Sequence, residues 1–136
     1  MNDFLPAFGA TVKALRAHMD GMLREHGLRL GQYQLLRALW ERDALTPREL
    51  ADRVGVEMPT VTRTVQRMMR DGLVLREANP SDARSVQIRL TPKGRDMEDV
   101  AQGLLAETTR IALDGVSLED RDRVTETLRH MLANLS

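Results

Sequence analysis

Phe4, Phe8, Val12, Leu15, Met19 and Met22 are spaced 4, 4, 3, 4 and 3 residues apart, which puts their side chains on one face of an α-helix. The pattern predicts a long amphipathic helix from Phe4 to about Gly27. A second helical pattern runs from Gly31 to Arg42 with Tyr33, Leu36, Leu39 and Trp40 inward, and Leu45 follows as a short strand. Thr46-Pro47-Arg48-Glu49 then reads as a helix start. A threonine hydroxyl caps a free backbone N–H, a proline at the first position lacks the N–H that would go unpaired, and a glutamate three residues on bonds back to the cap. Leu50, Ala51 and Val54 give that helix its apolar side, and Gly55 allows the turn that ends it.

The next helix is predicted from Pro59 to about Asp71, with Gly72 as its stop. Val61, Val65, Met68 and Met69 form its expected buried face, while Thr60, Arg63, Gln66, Arg67 and Arg70 share the opposite one. After Gly72 the period changes. Leu73 to Glu77 and Ser85 to Leu90 read as strands, the second alternating Val86, Ile88 and Leu90 with Gln87 and Arg89. Turn formers in Ala78-Asn79-Pro80-Ser81-Asp82-Ala83-Arg84 close the pair as a hairpin with Arg84 near its tip. Thr91-Pro92 repeats the cap signature and opens a helix marked by Met97, Val100, Leu104 and Ile111, which runs to Leu113 or Asp114 before Gly115. Ser117 caps a last helix carrying Val124, Leu128, Met131 and Leu135.

The predicted fold is therefore mainly α with a small β-hairpin wing: a winged helix-turn-helix over residues 31–92, flanked by helices in 1–27 and 93–136. At 136 residues the chain is one domain, too short for a separate catalytic unit. A winged helix of about sixty residues has its own core. Three further helices, each with one apolar stripe, cover one another only in part and leave a patch larger than a monomer usually exposes. Dimerisation through the flanking helices is the expected solution.

Charge sharpens this picture. The 20 Lys+Arg and 20 Asp+Glu cancel overall, yet Thr46 to Arg95 holds ten against six, and the rest of the chain ten against fourteen. The outer face of the Pro59–Asp71 helix has no acid between Thr60 and Arg70, so it suits an anionic partner rather than solvent. The four aromatics, Phe4, Phe8, Tyr33 and Trp40, lie outside the basic segment. No platform for stacking unpaired bases exists there, which points to duplex DNA.

Other classes find no support. With no cysteine, neither a disulfide nor a thiol switch is available. His18, His26 and His130 are scattered, and no metalloprotease pair, phosphate loop or catalytic triad order is present. Two histidines eight residues apart are read as ordinary surface or core residues, so no metal, cofactor or enzymatic activity is expected. No apolar run reaches membrane-spanning length, and Asp3 stands where a secretory signal carries a cation, so a cytoplasmic protein without membrane contact is expected.

The order of these features resembles the MarR family of bacterial transcriptional regulators. Leu30-Gly31-Gln32-Tyr33-Gln34-Leu35-Leu36, the capped helix at Thr46, Thr60-Val61-Thr62-Arg63, Asp71-Gly72-Leu73-Val74, Asp82 and Arg84 at the tip, and Leu90-Thr91-Pro92-Lys93-Gly94 carry the resemblance over nearly the whole chain. It implies a homodimer that binds a pseudo-palindromic operator, acts as a repressor, and is released by a small aromatic or phenolic acid. The lack of cysteine sets the chain apart from those family members that sense oxidants with one.

Side-chain chemistry assigns expected contacts. Thr60, Thr62, Arg63 and Gln66, in the N-terminal half of the helix that Pro59 opens, suit base edges in a major groove, and Arg67 and Arg70 suit phosphates. Thr46 and Arg48 belong to a helix N-terminus suited to a phosphate oxygen. Arg84, next to Ser85, suits the adjacent minor groove. Asp82 is expected to orient the Arg84 guanidinium by a charge-assisted hydrogen bond. The effector is expected between the first two helices near His18, Met22, Tyr33, Arg37 and Trp40; packing and surface roles are the alternative for these five. The competing function is a winged helix that docks on protein, which calls for outward apolar anchors on the reader helix.

Overall fold

The computed structural model describes residues 3–136. Helices α1 (Phe4–Arg24), α2 (Leu30–Glu41), α3 (Pro47–Val54) and α4 (Met58–Arg70) precede strands β1 (Val74–Asn79) and β2 (Asp82–Leu90), and α5 (Pro92–Ala112) and α6 (Leu118–Leu135) complete the chain. The architecture is the expected winged helix-turn-helix between long flanking helices. Helix ends follow the local signals closely. Thr46 Oγ1 accepts from Glu49 N at 3.1 Å while Glu49 Oε1 accepts from Thr46 N at 3.0 Å, closing the capping box. The Thr46 backbone N–H, and after it the Thr46 side chain, hold the Glu49 carboxyl below its ordinary range. Gly55 ends α3 in the left-handed region at φ 76°, and Thr91 and Ser117 cap α5 and α6 as predicted.

The core lies inside the winged helix. Leu28, Leu35, Leu36, Leu39, Leu45, Leu50, Val61, Met68, Leu73 and Ile88 are all fully buried, joining α2, α3, α4 and the root of the hairpin into one apolar cluster. Leu45 pairs with Ile88, whose N–H donates to the Leu45 carbonyl at 2.7 Å, so the expected short strand is a single bridge beside the wing. Asp43 fixes this corner. Its carboxylate accepts from Ala44 N at 2.8 Å, Leu90 N at 2.9 Å and the Arg95 guanidinium at 2.6 Å, which holds Ala44 at a positive φ of 60° that a residue with a Cβ otherwise avoids.

The flanking helices are a different matter. Leu23 is the only buried residue among the described residues of α1, and α6 buries none. Phe4, Phe8, Val12 and Leu15 on α1, Ile111 on α5, and Val124, Leu128 and Leu135 on α6 remain exposed. The stripes foreseen from the periodicity exist, and the chain alone does not cover them.

Where α5 meets the winged helix the backbones touch closely. Thr91 N donates to Leu73 O at 3.1 Å and Thr91 Oγ1 to Gly72 O at 2.6 Å, and the Gly94 carbonyl accepts from Trp40 Nε1 at 2.9 Å. A Cβ at Gly94 would stand 2.2 Å from the Leu73 carbonyl oxygen, far inside van der Waals contact. Gly94→Ala is accordingly expected to destabilise the protein by about 1–3 kcal/mol. Gly31→Ala, where an added methyl meets nothing within 4 Å, is expected to stay within about 0.5 kcal/mol of the wild type. Urea unfolding midpoints of the two variants check the contrast.

Candidate nucleic-acid interface

Helix α4 is amphipathic because its inward arc is narrow and strictly apolar. Val61 and Met68 are fully buried and Val65 nearly so. At 3.6 residues per turn, Val65 and Met68 lie within about 40° of Val61 around the helix axis, whereas Met69 lies about 80° away. That offset explains a correction: Met69, expected on the buried face, is 38% exposed. The opposite arc is as foreseen, with Pro59, Thr60, Thr62, Arg63, Gln66, Arg67 and Arg70 all exposed. Thr62 turns its hydroxyl back onto the Met58 carbonyl at 3.1 Å, which occupies the hydroxyl hydrogen and leaves the γ-methyl outward. The helix begins one residue earlier than predicted, at Met58, since Glu57 supplies the extended cap residue and Pro59 occupies the first turn.

The wing departs more from expectation. Its strands extend almost to the turn at Pro80-Ser81, so Ala78, Asn79 and Asp82 of the predicted seven-residue tip belong to the ladder. Ala78 pairs with Val86 but Asn79 pairs with Asp82, which loops Ala83, Arg84 and Ser85 out of the ladder as a bulge. Side chains hold that shape. Asn79 Oδ1 accepts from Ser81 N at 3.0 Å, Asn79 Nδ2 donates to Ser85 Oγ at 2.8 Å, and Asp82 Oδ1 accepts from Arg84 N at 2.9 Å. Asp82 thus bonds the Arg84 backbone and not its guanidinium, contrary to the expected side-chain pair. A carboxylate two residues upstream reaches the N–H that closes an Asx turn, and the long Arg84 side chain is left to project. Ser85 is taken up in bracing the tip.

Some arginines of the chain are paired with carboxylates and others are not. Arg89 bonds Glu77 at 2.6 Å, Arg95 bonds Asp43 at 2.6 Å, and Arg110 bonds Glu107 at 2.6 Å. Among the described residues, Arg63, Arg67, Arg70 and Arg84 are in no ion pair. Thr46, half-buried, and Arg48, exposed, stand at the start of α3. The Thr46 hydroxyl accepts the cap bond and still has a hydrogen to donate.

One cation was missed. A cleft of about 380 Å³ beside α4 is lined by Arg29, Gly31, Thr64, Arg63 and Arg67, with Asp20 and Gln32 at its back. Arg29 is the residue that caps α2 and leans on Asp20 at 3.3 Å. Its position just before Leu30 was a helix-boundary signal, but only the packing of α2 against α4 brings it beside Arg63 and Arg67.

A second cleft, of about 1060 Å³, lies where α1, α2, α3 and α5 meet, and its walls include Arg16, Arg37, Arg53, Tyr33, Trp40 and Glu98. Three of the five residues expected beside an effector, Tyr33, Arg37 and Trp40, line it. His18 and Met22 do not: Met22 receives the Thr108 hydroxyl at 3.3 Å, and His18 faces Glu107 closely enough to help lower its carboxyl, after the larger effect of Arg110. The walls contributed by α3 and α5 were not foreseen. Tyr33 and Trp40 have ring centroids 6.1 Å apart, tilted by 56°, and burial pushes the Tyr33 phenol up. Among the described residues no group of His, Cys, Asp and Glu could hold a metal ion, and no helix is long and apolar enough to cross a membrane.

The MarR family model matches residues 28–86, the stretch from the α2 cap through the wing bulge. The chain is 31% identical over 92% of its length to the HTH-type transcriptional regulator TtmR of Methylorubrum extorquens, of which it spans 60%. It is 29% identical over 89% of its length to the homoprotocatechuate degradative operon repressor of Escherichia coli, spanning 82% of that protein. The chain belongs to the MarR family. Its fold agrees with a solved MarR transcriptional regulator from Methanosarcina mazei, with a TM-score of 0.86 at 23% identity, over 98% of this chain and 96% of that one. As a MarR-family protein it is a winged-helix, DNA-binding regulator of transcription. The unpaired cations of α4 and the wing therefore lie on the module that names the family, while the uncovered apolar stripes lie on the helices outside it.

Proposed function

We propose that the chain works as a homodimer that reads a pseudo-palindromic operator with two copies of α4 and two wings. The observation that carries this reading is that Arg63, Arg67 and Arg70 share the exposed arc of α4, a helix with no acid of its own, and that these three and the exposed Arg84 of the wing are, among the described residues, in no ion pair. A cation left unneutralised on one face is matched by a polyanion. Thr60, Thr62, Arg63 and Gln66 would meet base edges in the major groove, the outward Thr62 methyl suiting a thymine methyl. Arg67, Arg70, Thr46 and Arg48 would meet phosphates. Arg84, carried on a bulge that Asp82 and Asn79 hold, would enter the flanking minor groove. A docking role on protein is less well supported, since the centre of the outward arc of α4 carries Arg63, Gln66 and Arg70 and no apolar anchor.

The exposed stripes of α1, α5 and α6 support dimerisation. Phe4, Phe8, Val12 and Leu15 on α1, Ile111 on α5, and Val124, Leu128, Leu132 and Leu135 on α6 are more apolar surface than a monomer usually exposes, and two-fold pairing would bury them and set the readers about one helical turn apart, roughly 34 Å. Residues 1–27 and 93–136 would then form the frame and 31–92 the reader. The cleft at the frame–reader junction suits an aromatic or phenolic acid, with its carboxylate near Arg16, Arg37 or Arg53 and its ring near Tyr33 and Trp40. A ligand there would change the angle between frame and reader and lower affinity for DNA. The Escherichia coli relative is named for a homoprotocatechuate operon, and homoprotocatechuate is itself a phenolic acid. Repression released by such an effector is the mode of action we assign.

Three outcomes are expected. Arg63→Ala and Arg84→Ala each weaken specific operator binding by about 1–3 kcal/mol at matched salt without lowering the unfolding midpoint; wild-type affinity in both, or a wild-type affinity that does not fall as salt rises, would refute the DNA assignment. Leu128→Glu yields monomers by sedimentation equilibrium and loses operator affinity, whereas a persistent dimer would remove α6 from the interface. A panel of aromatic carboxylates contains members that release the wild type from operator and that release Arg37→Ala less; release by none would end the effector proposal.

A further inference from the structure

The reader helix has to be held at a set place relative to the dimer frame, and apolar packing alone allows it to rock. Two chains of polar contacts converge on one residue at its C-terminal end. The first begins on α1. Asp20 Oδ1 accepts from Leu30 N at 2.9 Å and from Arg29 Nε at 3.3 Å, so a side chain of the frame anchors the first turn of α2. The backbone bond to Leu30 is also the main reason the Asp20 carboxyl is held below its ordinary range. Gln32 continues the link. Its Oε1 accepts from Arg29 N at 3.1 Å and its Nε2 donates to Asp71 Oδ2 at 2.9 Å. Gln32 is 2% exposed, so neither end of its amide can exchange this partner for water without cost. Asp71 is the residue that ends α4, its N–H bonded to Arg67 O at 2.9 Å.

The second chain begins on α5. Lys93 Nζ donates to the backbone carbonyl of Asp71 at 2.8 Å, placing a cation at the negative end of α4. Thr91 binds the next two carbonyls, Gly72 O and Leu73 O. α1 thus reaches Asp71 by its side chain and α5 reaches it by its backbone. Asp71 is exposed and adds nothing to the core, and its acid lowers the positive charge of the DNA-facing helix. Neither packing nor charge explains an acid here; a joint does.

We propose that Asp71, held by Gln32 and Lys93, is a positioning residue that sets the separation at which the dimer presents its two reader helices. The proposal rests on the dimeric DNA-reading function above. Asp71 touches no base in this scheme. It decides which half-site spacing is accepted, while the bases preferred within each half-site stay under the control of α4 and the wing.

The test separates these two properties. Half-sites are first selected from random duplex DNA with the wild-type dimer, and affinities are then measured for a series in which the spacing between identical half-sites varies by single base pairs. For the wild type one spacing is expected to dominate. Asp71→Ala and Gln32→Leu are expected to lose about 5–10-fold of the preference for that spacing over its neighbours, the size expected from one hydrogen bond, while the half-site sequence preference is kept. Lys93→Met, which cuts the other chain without altering the Asp71 side chain, is expected to flatten the same profile. Asp71→Asn keeps an acceptor oxygen for Gln32 and is expected to keep the wild-type profile. A merely structural role would lower the unfolding midpoint and leave the spacing profile alone. A wild-type profile in Asp71→Ala and Gln32→Leu, or a flattened one in Asp71→Asn, overturns the proposal. A wild type that binds no duplex would instead overturn the function on which it rests.

Discussion

Burial of one narrow arc of α4 is the constraint on which the rest of the molecule depends. Val61, Val65 and Met68 leave the helix no freedom to roll about its axis, because rolling would bring apolar carbon into water and polar side chains into the core. With the inner arc settled, the outward direction of Arg63, Gln66 and Arg70 follows from helical geometry alone. The hairpin is fixed to the same core through Ile88 and Leu90 at its root, so Arg84 at its bulge is carried on a lever whose base cannot shift without disturbing α4. Helix and wing therefore move as one body.

That body has its electrostatics set by omission. A chain with equal numbers of acids and bases can neutralise every cation internally, yet among the described residues only Arg24, Arg29, Arg89, Arg95, Arg110, Arg123 and Arg129 are paired with a carboxylate. Exposed pairs of this kind add little to stability. What sets α4 apart is that it carries three arginines and no acid of its own, so its outer face keeps its positive charge. The same holds for apolar surface. The winged helix closes its core, while the helices around it keep open stripes of Phe, Val and Leu. Unmet demand for negative charge in one region and for apolar cover in another divides the molecule into a reader and a frame more sharply than any break in the chain.

Features governed by near neighbours were legible from the residues in order. Caps at Thr46, Thr91 and Ser117, the stop at Gly55, the period change after Gly72 and the charged face of α4 all depend on contacts within about one turn, and each could be read directly. Features governed by distant pairing were not. The bulge at Ala83 to Ser85 depends on where β2 closes against Asn79, and turn formers announce a turn without fixing the register around it. Gln32 and Asp71 are 39 residues apart, and nothing near either one advertises the other. The junction cleft was half-read for the same reason: Tyr33, Arg37 and Trp40 belong to one helix and were found together, whereas Arg16, Arg53 and Glu98 come to it from three others. Met69 failed for a smaller reason, an angular offset that a list of apolar positions does not weigh.

The two ends of α4 are built differently. Its N-terminal end has no side-chain cap, and the residues suited to DNA begin there. Among the described residues, the polar ties from α5 and Gln32 to this helix are all at the other end, where Asp71, Gly72 and Leu73 give their carbonyls to Thr91 and Lys93 and the Asp71 carboxylate receives Gln32. A helix anchored at one end turns about that end. Small changes at the anchor are then magnified at the N-terminal half, where the side chains proposed to read bases sit, and the Gly94 backbone packed against Leu73 passes any tilt of α5 directly into the anchor. The junction cleft opens between the same helices that bring those ties to α4, so the effector proposed there would have a short mechanical route to α4.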